Sequence, residues 1–268
     1  MTLAESSAIR LQAYGQWRTV YEEASSRRDD LTGGFFPMSK AGHCDRALAY
    51  YYLNYPTAKL SARSKRTFEH GSLFEDWVKY TLTRYGAEYG IAWDSAERKL
   101  SRNNPPCVGH VDGIIYANNT RQVEACLNQE PYDGDREAAP HNMEIKTSAQ
   151  YRFYEIAKKG IESASEWYDQ DIFYLGHLRQ EEPEIRDTFL IMESKNTSHL
   201  DISRITFDIK RFNELIEKLN YIWLTVQNGE LPDQEAGYSK GKLGFPCTWT
   251  DGGCAYLESC NPPKEKKK

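Results

Sequence analysis

The stretch NMEIKTSAQ, residues 142–150, places Glu144 and Lys146 two positions apart with Ile145 between them. Met143 and Ile145 mark the segment as a short strand, and in a strand alternate side chains share a face. Glu144 and Lys146 therefore point one way, while Ile145 points the other way into a core. Two chemistries fit such a pair. One is a salt bridge on a solvated sheet face. The other is a metal-dependent phosphodiesterase site.

Upstream lies Asp112, in the segment GHVDGII. If residues 108–117 form a strand paired with 142–147, Asp112 and Glu144 project from one sheet face. Carboxylates brought that close repel unless a hard cation lies between them, and oxygen donors suit Mg²⁺ or Mn²⁺. The carbonyl of Ile145 falls in the same place and offers a further oxygen. Lys146 on the same face is suited to hold a water or to offset charge developing on phosphorus.

The bulk composition bounds what such a site belongs to. The chain has 268 residues, 40% hydrophobic and 27% charged, with 18 Tyr, 10 Phe and 6 Trp. A net charge of −5 excludes a protein that coats nucleic acid without specificity, but not an enzyme with a local basic channel. The N-terminal residues lack a basic and then apolar leader pattern, and no apolar run reaches spanning length, so a cytoplasmic protein without a membrane anchor is expected. Six cysteines in such a chain point to metal ligation sooner than to disulfides.

Periodicity gives the rest of the layout. Residues 4–27 read as an amphipathic helix. Ser39 is expected to cap a helix over 40–54, with Ala47, Leu48, Tyr50 and Tyr51 inward. Residues 57–66, with Lys59, Arg63, Lys65 and Arg66, read as a basic loop. A helix over 67–85 carries the stripe Phe68, Leu73, Trp77, Val78, Leu82 and Tyr85. Residues 117–141 are polar and turn-rich and read as an inserted excursion. Helices are expected near 149–161 and 164–180, strands over 188–193 and 202–208, and a long helix from Asp208, its cap, to Gly229, its stop. The whole reads as one domain: a helical part to residue 66, a core from 67 to 228, and a cysteine-rich end from 229 to 268. The expected class is α/β or α+β, a mixed sheet flanked by helices.

The combination GHVDG…MEIKTS resembles the metal-binding core of the PD-(D/E)xK nuclease superfamily, and within it the RecB-like exonucleases of the CRISPR-associated and phage branch. Three further features carry the resemblance. In HGSLFED, Gly71 and Glu75 lie four apart on the helix before the catalytic strands, and Phe74 stands where relatives carry His. In QDIFY, Gln170 and Tyr174 match the family's Q-x-x-x-Y motif. Cys44 near one end and Cys247, Cys254 and Cys260 near the other match its one-plus-three cysteines, with C-x6-C here where relatives have C-x2-C. The resemblance spans roughly residues 39–260.

The resemblance implies a restriction-endonuclease-like fold whose ends are joined by a [4Fe–4S] cluster on Cys44, Cys247, Cys254 and Cys260. Residue type alone leaves zinc open as the alternative. It implies Mg²⁺ or Mn²⁺ on Asp112, Glu144 and Ile145, catalysis by Lys146 with Glu75 at the site, and DNA contacts by Gln170 and Tyr174. The activity implied is exonucleolytic hydrolysis of single-stranded DNA ends, often from the 5′ side. A structure-specific endonuclease on the same core remains open, as does a DNA-binding subunit of a recombination or CRISPR-adaptation complex. Cys107 and Cys126 lack partners at ligand spacing and read as plain thiols, and Lys195 reads as a solvated turn residue.

Overall fold

The computed structural model describes residues 33–57, 62–94, 98–233, 238–239, 242–243 and 254–260. The helix expected over 4–27 and Cys247 lie outside these residues. The centre is a five-stranded mixed sheet of order β2–β5–β6–β7–β8: β2 (Ala92–Asp94), β5 (Gly113–Ala117), β6 (Ala139–Ser148), β7 (Asp187–Ser194) and β8 (Leu200–Thr206). A smaller sheet has the order β1 (Phe36–Pro37), β4 (Pro106–Val111) and β3 (Arg98–Asn103). The short strands β9 (Tyr238–Ser239) and β10 (Lys242–Leu243) pair with each other. The architecture is thus mixed α/β, with helices on both faces of the main sheet.

The opening stretch forms β6. It pairs antiparallel with β5 and parallel with β7, opposing Glu144 to Leu190 and Lys146 to Met192. Residues opposed across a parallel pair share a face. Leu190 and Met192 belong to one core, with Phe173, Leu175 and Leu178 of helix α5 (Ser165–Glu181) and Phe212, Leu215 and Leu219 of α6 (Ile209–Gln227). Met143, Ile145, Phe189 and Ile191 enter the opposite core, against Phe74, Val78 and Leu82 of α2 (Ala62–Tyr89) and Val123, Cys126 and Leu127 of α3 (Thr120–Asn128). Glu144 and Lys146 therefore face inward beneath α5, and the solvated salt-bridge reading is excluded. The crossover from β6 to β7 runs through α4 (Gln150–Lys159) and α5, which lays α5 over the strand that precedes it.

Several expectations are corrected. Ser39 caps nothing: it lies in the single 3-10 turn Met38–Lys40, and helix α1 (Asp45–Tyr52) starts at Cys44, burying Leu48, Ala49 and Tyr50. The basic loop ends early, because Lys65 and Arg66 already lie in α2. In α2 the inward stripe is Phe74, Val78 and Leu82, whereas Phe68, Leu73 and Trp77 are exposed. The strand expected through Asp112 is broken there into β4 and β5, which belong to different sheets. The excursion at 117–141 contains α3, started by the Asn119 side chain accepting the Gln122 N–H at 3.0 Å. The long helix α6 follows the sequence: Asp208 Oδ1 accepts the Arg211 N–H at 3.0 Å, and Gly229 beyond its end takes φ +80°.

Candidate active site

The break between β4 and β5 turns the Asp112 side chain onto β6, where Oδ2 accepts the Ile145 N–H at 2.9 Å. Glu144 is 2% exposed. Its Oε1 accepts hydrogen bonds from Lys146 Nζ and, at 2.6 Å, from Gln170 Nε2 on α5. Its Oε2 is buried without a hydrogen-bond partner. The three residues read from the sequence as one constellation are thus gathered at the middle of the sheet.

A fourth group was missed. Asp171 is fully buried beside them, and its carboxylate oxygens find no partner of ordinary hydrogen-bond geometry, with the Thr188 hydroxyl near enough to favour the charged form. Its position inside QDIFY, between two motif residues, gave no sign that it faces the site. Burial pushes its carboxyl well above the ordinary range, and the charges of Glu144 and Asp112 push the same way while Lys146 opposes. Burial and then Glu144 likewise raise Asp112. For Lys146 burial alone would lower the pKa, but Glu144 and Asp112 outweigh it and hold the ammonium charged.

One ammonium thus faces three carboxyl groups in a place poor in water. Such an excess asks for protons or for a cation. The buried, unpartnered Glu144 Oε2 and the hard oxygen donors fit a divalent ion of the Mg²⁺ or Mn²⁺ kind. Among the described residues no three or more His, Cys, Asp or Glu side chains are gathered so as to hold a metal. An ion here would rest on the Asp112–Glu144 pair, backbone oxygen and its own water, as Mg²⁺ commonly does.

Glu75 lies close enough for its charge to raise Asp112 further, but its own carboxylate is held by Lys79 at 2.5 Å. The packing does not demand glycine at Gly71, since a Cβ there would meet only Thr147 Oγ1, at an ordinary 3.4 Å. Gln170 and Tyr174 are placed differently from the expectation of strand contact. Gln170 is buried and clasps Glu144. Tyr174 is 3% exposed, has Ser39 near its hydroxyl, and packs so closely on Gly109 that a Cβ there would meet its ring at 2.7 Å. A ring so enclosed offers no face to a base. Helix α5 is fixed in turn by Asp169, which receives Arg211 Nε and Nη2 from α6 at 2.6 and 2.8 Å.

The cysteine-bearing ends meet. Tyr256 stacks near Tyr50 of α1 at 5.6 Å, and the Tyr50 hydroxyl donates to the Ser259 carbonyl at 3.3 Å. Cys44, Cys254 and Cys260 are each half-buried, but they make no metal-holding group among the described residues. Cys107 and Cys126 are buried thiols pushed up to about 12 and about 11 by burial, as expected of unreactive sulfur. No helix among the described residues is long and apolar enough to cross a membrane.

No protein-family model matches the chain, and no curated protein matches its sequence. In structure it is similar to the alkaline exonuclease LHK-Exo from Laribacter hongkongensis, at 14% identity and a TM-score of 0.47 over 74% of this chain and 90% of that one. LHK-Exo in complex with dAMP gives the same identity and score over 73% and 89%. The protein SSO0001 follows at 13% identity and 0.41, over 74% of this chain and 78% of that one. At these scores none of the three bears on the reading of the site, which rests on the side chains above.

Proposed function

We propose that the chain is a divalent-metal-dependent deoxyribonuclease, an exonuclease acting on single-stranded DNA ends. The observation that carries this reading is the inward-facing trio Asp112, Glu144 and Lys146, with a buried Glu144 oxygen that lacks a partner. Asp112, Glu144 and the Ile145 carbonyl would hold Mg²⁺ or Mn²⁺. When bound, that ion would polarise a phosphoryl oxygen and acidify water. Lys146, kept charged by its carboxylate neighbours, holds the attacking water and offsets charge on phosphorus. Gln170 fixes the rotamer of Glu144, and Asp112 is fixed by the Ile145 amide. Glu75 completes the acidic side of the site.

Purified protein incubated with Mn²⁺ and linear single-stranded, linear duplex and covalently closed circular DNA tests the proposal. Loss of linear single strands alone is expected. Nicked circles would make the enzyme an endonuclease, and no cleavage with or without metal would leave a binding subunit. End-labelled strands read the polarity, for which attack from the 5′ end is proposed.

The four cysteines are proposed to hold a [4Fe–4S] cluster as a staple, supported by the meeting of the segment after Cys44 with the segment that carries Cys254 and Cys260. Metal analysis of anaerobically purified protein tests it. Iron at about four per chain is expected, and zinc alone would replace the cluster while keeping the staple.

A further inference from the structure

Burial of Tyr174 leaves the site's interior without a ring for a base, so exposed rings along the rim of the same strand gain importance. Helix α4 follows β6 after one residue, Ala149. On it Tyr151 is 75% exposed and Tyr154 43% exposed. The two stand three apart and so share one flank of the helix, while Phe153 and Ile156 are buried on the other side and fix which flank faces out.

The Tyr154 ring is held rather than loose. The Tyr154 hydroxyl lies 2.7 Å from His199 Nδ1, and Tyr154 meets Phe153 edge-on at 5.3 Å. Tyr151 stands one turn before Glu155, whose carboxylate is held by Arg152 and Lys159. The loop that carries His199 is tied to the end of the catalytic strand: the Lys195 N–H donates to the Ser148 carbonyl at 2.8 Å, and the Gln150 N–H donates to Asn196 Oδ1 at 2.9 Å. Only five positions separate Lys146 from Tyr151, at most about 17 Å of extended chain. Lys158, one turn beyond Tyr154 on the same flank, is exposed.

We infer that Tyr151 and Tyr154, backed by His199, form a stacking platform for the bases of single-stranded DNA leading to or from the candidate active site. Exposed tyrosines, one with its hydroxyl bonded to His199, beside an ammonium suit bases and phosphates in water better than they suit an apolar protein partner. Continuity with the catalytic strand argues for this occupant, since the helix that carries the rings begins one residue beyond the strand that carries Lys146. The inference rests on the nuclease reading above.

Binding of fluorescein-labelled oligo(dT) of about twelve nucleotides, followed by anisotropy with Ca²⁺ in place of Mn²⁺, tests the platform. An abasic strand of equal length serves as the second probe. The double variant Tyr151→Ala, Tyr154→Ala should bind oligo(dT) about ten- to a hundredfold more weakly, with the melting temperature and the salt dependence of binding unchanged. Both proteins should bind the abasic strand equally, and Tyr154→Phe should bind oligo(dT) like the parent, because stacking needs the ring and not the hydroxyl. A double variant that binds oligo(dT) as well as the parent, or loses abasic binding by the same factor, overturns the platform. If the parent cleaves DNA and the variant binds normally, the platform alone falls. A parent that neither binds nor cleaves DNA takes both readings down.

Discussion

Replacing Gln170 with Ala separates two roles for one residue. The donated hydrogen bond to Glu144 is short, 2.6 Å, and ends on a carboxylate that is 2% exposed. A hydrogen bond to a charged group contributes about 1.5–3 kcal/mol, and the void left by the amide stem adds to the loss. The metal-free variant should therefore lose about 2–4 kcal/mol of unfolding free energy, a fall on the order of 5–10 °C in Tm for a chain of this size. Freed from its clasp, Glu144 no longer keeps one orientation, and partners of this kind typically change metal affinity or activity by about 10- to 100-fold. Urea unfolding and calorimetric titration with Mn²⁺ measure the two effects. If stability and Mn²⁺ affinity match the parent while single-stranded DNA binding drops, Gln170 contacts the strand and the clasp is inconsequential.

Lys146→Ala should lower cleavage by at least about a hundredfold while Mn²⁺ and DNA binding persist. Asp112→Ala and Glu144→Ala should weaken Mn²⁺ binding itself, and equal affinity loss in all three variants would refute the division of roles. Tyr174→Ala should cost about 3–5 kcal/mol in urea unfolding as a core truncation, whereas Tyr174→Phe keeps the packed ring and should cost about 1 kcal/mol or less; a fully stable Tyr174→Ala would contradict the burial. The carboxyl of Asp171 is raised in the folded chain by burial and by Glu144, so the folded state keeps a proton that the unfolded chain has released. The resulting stabilisation is complete below the unfolded carboxylate value of about 4 and fades as pH climbs through the raised one. Asp171→Asn should therefore flatten the decline of metal-free stability with rising pH, and urea midpoints that decline equally in parent and variant would count against it.

What could be read from the sequence was mostly what neighbours in the chain determine. Asp208 and Gly229 bound α6 through local capping chemistry, and the alternation at 142–148 placed Glu144 and Lys146 on one face. Where two apolar flanks compete, local pattern fails. Helix α2 offers Phe68, Leu73 and Trp77 as well as Phe74, Val78 and Leu82, and only the position of the sheet decides which set is covered. Helix α3 hid because its buried apolar residues, Val123, Ala125, Cys126 and Leu127, are few and lie between polar, turn-rich flanks. At the site, Asp112, Glu144 and Lys146 were legible, and Gln170 was legible as a site residue. That Gln170 serves Glu144, and that Asp171 joins it, depends on how the crossover lies over β6, which no spacing reveals.

That crossover also sets the order in which the candidate site is assembled. Asp112 arrives with the fifth strand, but Glu144 is not clasped until α5 has folded back over it. The parallel partner β7 closes the strand's other edge only after residue 187. A chain emerging from the ribosome thus carries its carboxylates long before it carries the helix that clasps Glu144. Contacts this distant in sequence form late, because the intervening loop must first be ordered. A cut within residues 150–180 should accordingly undo the clasp on Glu144 before the rest of the sheet is lost.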